Sequence, residues 1–357
     1  MFSTVISQVA ANCELASGHQ AGSFSLCGLL MRLRLLYKWQ HGLPPWREPD
    51  PEAILAWIAD LESSWDAREG EPWQQLCVNG LSIDPFEVDR VNAVLEPGGL
   101  AYGAGLCRGL APTFFLGELS EVRRLDDLTI LVIEQELARD LDGTPALRQG
   151  ALIYARRQAL AYYLWDRLAD PTQEGSRFLA AGWSGAAAPL PALLKDPEGH
   201  QEVWEGLLQE ELEAVIRHEL GEARETSLSQ ALPAILELFP HTPLDHWIRA
   251  LKDALADTND RGRLSYFIAG RRLTSLALML AFQPGFYPLL LPELEPAFHE
   301  LTASGDWEVM EAARAAALTR LRRVAAEVTE LLEVQKNESP ENLREALTCR
   351  FLTPLGL

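Results

Sequence analysis

The sequence predicts a mainly α protein: a multi-helix core with a small antiparallel β meander inserted in its first half. Three observations predict it. Helical spacing of apolar residues dominates both ends of the 357-residue chain. An Asp followed by Pro, a helix-start pair, occurs at Asp50-Pro51 and Asp84-Pro85. The one stretch that breaks the pattern opens at Pro97-Gly98-Gly99 and carries two short β-type runs. The expected organisation is a helical part over 1–95, a β-containing insertion over 96–145 and a helical part over 146–357, which can form one continuous domain.

In order along the chain, Val5, Ile6, Val9 and Cys13 predict a short first helix, and Gly18 and Gly22 break it. Ser25 to Trp39 is apolar nearly all round, with Arg32, Arg34 and Lys38 set into it, as expected of a helix central to a core. Gly42 to Trp46 is a loop. Asp50-Pro51 opens a helix to about Trp65, and Asp84-Pro85 one to about Leu95. Thr113–Leu116 and Leu128–Val132 are the expected strands, joined by a charged turn over Arg123–Asp127. Helices are then expected over 146–169, 199–224, 227–238, 243–256, 263–282, 306–333 and 340–349. No internal repeat of solenoid period is visible.

Composition excludes several classes. The formal net charge is -20 and the pI about 4.8, a surface that repels phosphate backbones and anionic lipid, so neither a nucleic-acid partner nor membrane docking is expected. The most apolar stretch, Leu273 to Leu291, is interrupted by Ser275, Gln283, Pro284, Gly285 and Pro288 and falls short of a membrane span. It reads as a core helix followed by a turn. Five cysteines, Cys13, Cys27, Cys77, Cys107 and Cys349, make an odd number with no CxxC spacing, so neither a disulfide framework nor a structural zinc site is expected. No basic segment leads into an apolar run at the N-terminus, and the expected location is cytoplasmic.

The most informative segment is His218-Glu219-Leu220-Gly221-Glu222. On a helical wheel, Trp204, Leu207, Leu208, Leu212, Val215 and Ile216 form one apolar stripe. Glu210, Glu213, Arg217 and Arg224 fall opposite. Glu211, Glu219 and Glu222 fall on or near the stripe, and His218 at its edge. A buried carboxylate is costly unless it is paired, hydrogen-bonded or metal-bound. His and Glu at i and i+4 converge and can chelate a divalent ion, and imidazole with carboxylates suits iron, manganese or zinc. The pattern departs from HExxH, since Glu222 stands where the second His would be, and no matching Glu-x-x-His of a di-iron bundle occurs.

Other candidates are weaker. Cys13, His19 and Cys27 match no standard zinc spacing, although His19 joins the His218 set if the N-terminal segment lies beside that helix. Gly103, Gly105 and Gly109, with Arg108, lack the helix and Lys-Ser of a nucleotide loop. His246, Asp253 and Asp257 fall on the polar side of a helix whose apolar side is Leu244, Ile248, Leu251 and Leu255, and are expected to be solvated.

The segment from Asn12-Cys13 through His19-Gln20-Ala21-Gly22 to Leu26-Cys27-Gly28, with Asp84-Pro85-Phe86, Phe115-Leu116-Gly117 and His218 to Glu222, resembles an uncharacterised bacterial conserved-hypothetical family. The resemblance covers most of the chain and implies that the N-terminal Cys/His segment and the His218 segment belong to one signature. It brings no activity, cofactor or fold with it. The leading expectation is a metal-dependent enzyme of non-haem iron-like type. Glu211, His218, Glu222 and His19 are the candidate ligands, and Glu219 is a general base or a group behind them. The alternative is a non-enzymatic helical interaction or assembly protein in which the inward Glu residues pair with Arg, for instance Arg32, Arg34, Arg271 or Arg272. Substrate and protein partner stay open.

Overall fold

In the computed structural model, which describes residues 2–107, 111–170, 175–183, 188–283, 285–335 and 338–356, the mainly α expectation gives way to an α+β fold. A five-stranded mixed sheet and a two-stranded one replace the small meander. The chain divides into two units, Met1–Ala169 and Asp170–Leu357.

The first unit opens with α1 (Ser3–Ala21), α2 (Leu26–Gln40) and α3 (Pro51–Ala67). The Ser25 hydroxyl caps α2 by accepting from the Gly28 amide, and Asp50 caps α3 by accepting from the Glu52 and Ala53 amides. Then come the hairpin β1 (Leu76–Val78) and β2 (Leu81–Ile83), and α4 (Val88–Leu95). The hairpin turns on Asn79-Gly80, both at positive φ. The large sheet follows as β3 (Leu100–Cys107), β4 (Ala111–Leu125), β5 (Leu128–Arg139), β6 (Ala146–Gln149) and β7 (Leu152–Arg156), and α5 (Arg157–Ala169) closes the unit.

Strand order is β3-β4-β5-β7-β6, antiparallel throughout except for the parallel β5/β7 pair. One face packs Leu100, Tyr102, Phe114 and Leu116 against α1 residues Val5, Val9 and Cys13. The other collects Ala101, Phe115, Leu131, Ile133 and Tyr154.

The expected strands Thr113–Leu116 and Leu128–Val132 lie within β4 and β5, and the additional strands have identifiable physical causes. β3 reads Leu-Ala-Tyr-Gly-Ala-Gly-Leu-Cys and has no β-branched residue. Its small residues are required by neighbours: a Cβ on Gly103 would stand 2.0 Å from the Phe115 ring across the pair. The expected turn at Arg123–Asp127 is shorter, because Arg123 and Arg124 extend β4 and the chain reverses at Asp126-Asp127. Residues 146–156, expected as the start of a helix, are β6 and β7, divided at Gly150, where φ is +59.

The second unit is helical: α6 (Ser176–Gly182), α7 (Leu190–Lys195), α8 (Gln201–Arg224), α9 (Ala231–Leu238), α10 (Pro243–Thr258), α11 (Arg263–Ala269), α12 (Leu273–Ala281), α13 (Tyr287–Leu290), α14 (Leu294–Ser304), α15 (Glu308–Val334) and α16 (Pro340–Leu347). The single helix expected over 263–282 is broken at Gly270-Arg271, where Arg271 takes a φ of +49. Pro284, like Arg108 and Gly109, lies outside the described residues. α10 packs against α8, α9, α11, α13 and α15, and every residue from Ala254 to Thr258 is buried. No helix among the described residues is long and apolar enough to cross a membrane.

Candidate functional site

The site forms where α8 and α10 touch backbone to backbone. The apolar stripe of α8 buries Trp204, Leu207, Leu208, Leu212, Ile216 and Leu220. At its C-terminal end Gly221 lies so close to α10 that a Cβ would stand 2.1 Å from the Ala256 carbonyl oxygen. Gly262, just past α10, meets the same carbonyl at the same distance. The Asn259 side chain donates to the Gly221 carbonyl at 2.8 Å and fixes the approach.

That approach sets His218 against Asp257, with Nδ1 2.8 Å from Oδ1. Asp257 is fully buried, which corrects the expectation of a solvated face. Wheel position alone misplaced it, because the end of α10 is enclosed on all sides. Arg263 donates to both Asp257 oxygens, through Nε at 2.6 Å and through Nη2, and the Tyr287 hydroxyl donates a further short bond. Burial alone would raise the Asp257 carboxyl; the Arg263 guanidinium and His218 hold it well below the usual carboxylate range. Burial opposes a charged imidazole as well, yet Asp257 outweighs it and pushes His218 up to about 9. An ionised Asp257 therefore orients the ring by accepting from Nδ1, and Nε2 faces outward.

Around that outward nitrogen the structure assembles His218, Glu222 and Asp253, whose ligand atoms lie within 4.8 Å of one another. Nε2 is 3.8 Å from the Asp253 carboxylate. Lys252 lies between the acids, with Nζ 2.5 Å from Glu222 and 3.0 Å from Asp253. All three cluster residues are partly buried, so the group sits at the rim of the helix pair.

Of the residues singled out from sequence, His218 and Glu222 come together, and Asp253 joins them from α10. Glu219 is buried beside them on α8 and is outside the cluster. Glu211 sits seven residues earlier on α8, about 10 Å along the axis, and is also outside it. His19 belongs to the first unit, where its ring lies 5.4 Å from Trp73. Cys13 is buried there and donates to the Phe114 carbonyl at 3.1 Å. The arginines considered as partners act elsewhere: Arg272 holds Glu210 at 2.8 Å, and Arg34 holds Glu48 and Asp166.

Glu211 has a separate consequence. Its Oε1 is enclosed and has no hydrogen-bond partner among the described residues, and burial pushes its pKa up to about 7. The folded state then binds a proton that the unfolded chain, titrating near 4.5, releases earlier. Stability contributed by that proton is present at pH 4.5 and lost as pH rises towards 7. Glu211→Gln is expected to flatten this loss and to raise stability at pH 8 by up to about 3 kcal/mol. Urea unfolding of both proteins at pH 5 and pH 8 measures it, and an equal decline in the two refutes it.

Residues 4–156 match the N-terminal domain of a family of unknown function (DUF6866), and residues 161–350 match the C-terminal domain of the same family. Comparison with curated proteins and with solved structures found no match. Two consecutive domains of one family thus span nearly the whole chain, and the chain belongs to the family of unknown function DUF6866.

Proposed function

We propose that this protein is a metal-dependent enzyme whose centre is His218, Glu222 and Asp253, taking manganese, iron or zinc. One observation carries the reading: the ligand atoms of an imidazole and two carboxylates converge, and a buried carboxylate, Asp257, engages the far nitrogen of the imidazole. A carboxylate behind a histidine fixes its tautomer and raises its basicity as a metal ligand. Three protein ligands leave positions for water or substrate, and an ion so held acidifies a bound water or polarises a substrate oxygen. Entry of the ion displaces two positive charges, the His218 proton and the Lys252 ammonium. The five free thiols support a reducing, cytoplasmic setting.

Elemental analysis of protein purified without chelators tests this, with about one ion per chain expected, lost in His218→Ala. Lys252→Met removes the competing ammonium and is expected to tighten Mn2+ or Zn2+ binding at least about ten-fold, the worth of one close charge in a partly buried site. Absence of stoichiometric metal, together with no saturable binding of Mn2+, Fe2+ or Zn2+, sinks the proposal.

A second reading rests on Lys252 itself. Its short contacts to Glu222 and Asp253 make a charged clamp from α8 to α10, a purely structural device suited to a helical interaction protein. Under that reading Lys252→Met lowers stability and gains no metal.

A further inference from the structure

A cavity of about 240 Å³ in the same unit lies among α10, α13, α15 and the π-helical turn Thr348–Leu352. It shares no residue with the His218 cluster, so its fate is independent of the metal reading. Its wall is apolar and aromatic. Trp247 stacks on Phe351 with ring centroids 5.0 Å apart and planes inclined by 21°, and Leu289, Val324 and Leu355 complete the lining.

Its rim is basic. Arg320, Arg323 and Arg350 all line the cavity, in a chain whose net charge is -20. Glu293 and the Leu290 carbonyl hold Arg320, and Glu327 holds Arg350 at 2.6 Å. Arg323 reaches the same Glu327 only at 3.9 Å and is largely exposed. Two carboxylates therefore face three guanidiniums, and Arg323 carries the surplus charge.

We propose that this cavity binds a small amphipathic anion, a single carboxylate or phosphate head on an aromatic or short aliphatic body. The head pairs with Arg323, and the body lies against Leu289, Val324 and Leu355, the accessible apolar part of the lining. The charge balance disfavours cations, and the apolar wall disfavours a bare inorganic ion. The volume, roughly that of eight waters, matches a ligand the size of benzoate.

Calorimetric titration of the full chain with benzoate, phenyl phosphate, inorganic phosphate and benzamidine tests this. Benzoate or phenyl phosphate is expected to bind at one saturable site, weakened by salt, and benzamidine at least about ten-fold more weakly. Which of the two anions binds better identifies the head group. Arg323→Ala, an exposed position that leaves folding intact, is expected to weaken anion binding about ten-fold, the worth of one charge-assisted hydrogen bond. Leu289→Ser, at an exposed position, is expected to weaken binding a few-fold without lowering thermal stability. The proposal is overturned if benzamidine binds as well as benzoate, if inorganic phosphate matches phenyl phosphate, if neither organic anion binds at millimolar concentration, or if Arg323→Ala changes nothing.

Discussion

Asp257→Asn is expected to destabilise the 170–357 unit by about 3–5 kcal/mol, the cost of leaving a buried charge without its partner. Asn keeps the shape but offers Arg263 one neutral oxygen where two charged ones stood, and leaves His218 Nδ1 without its anionic partner. A loss of that size is a large share of the about 5–15 kcal/mol that stabilises a typical domain. Chemical denaturation of the variant checks it. Removing the stranded charge as well, in Asp257→Asn with Arg263→Met, is expected to recover part of the loss, because the penalty lies in the unpaired guanidinium. His218 supplies an independent readout: without Asp257 its titration midpoint, now about 9, is expected to fall markedly in an NMR titration. A single variant within 1 kcal/mol of the parent would show that the network contributes little.

Gly221→Ala is expected to cost about 1–3 kcal/mol or more, although alanine is the better helix former. The added carbon would lie 2.1 Å from the Ala256 carbonyl, so α8 and α10 must separate. Separation lengthens the Asn259 bond and the His218–Asp257 contact together. Gly206 on the same helix is the control, since a Cβ there meets nothing within 4 Å. Gly206→Ala is expected to stabilise by about 0.5–1 kcal/mol. Opposite signs for two identical substitutions on one helix distinguish close packing from propensity. Thermal melts decide between them, and a gain at both positions refutes the packing account.

Part of the site was legible because it follows from one helix. His218 and Glu222, four residues apart, lie on one side of α8 whatever surrounds them. Asp253 and Asp257 were not legible as site residues. On α10 alone they oppose Leu251 and Leu255 and read as solvated, and only the packing of α8, α11, α13 and α15 around the last turn encloses Asp257. Glu211 was legible on both counts: its wheel position foretold burial, and seven residues of helix already set it about 10 Å from His218 along the axis. In the fold, helix starts carried by local chemistry were readable, as at Ser25 and Asp50. The Asn79-Gly80 turn is equally local, but its strands are three residues each, too short to show a strand period. β3 and the far half of β4 were not readable, because small residues in one and charged ones in the other carry no strand periodicity; their partners impose it.

The order of strands constrains how the first unit folds. After β5 the chain passes the place beside it, lays down β6 one position further out, and returns through Gly150 to fill the gap with β7. Until that return, β5 is an open edge carrying Ile130, Leu131, Val132 and Ile133, a sticky template for other chains. Glu136, buried on β5, likewise waits for Arg156 at the end of β7. Closure of the sheet is thus a late, long-range event, and slowing it prolongs exposure of that edge during synthesis and refolding. Hydrogen exchange caught during refolding would find the β5 and β7 amides protected together, after those of β3 and β4.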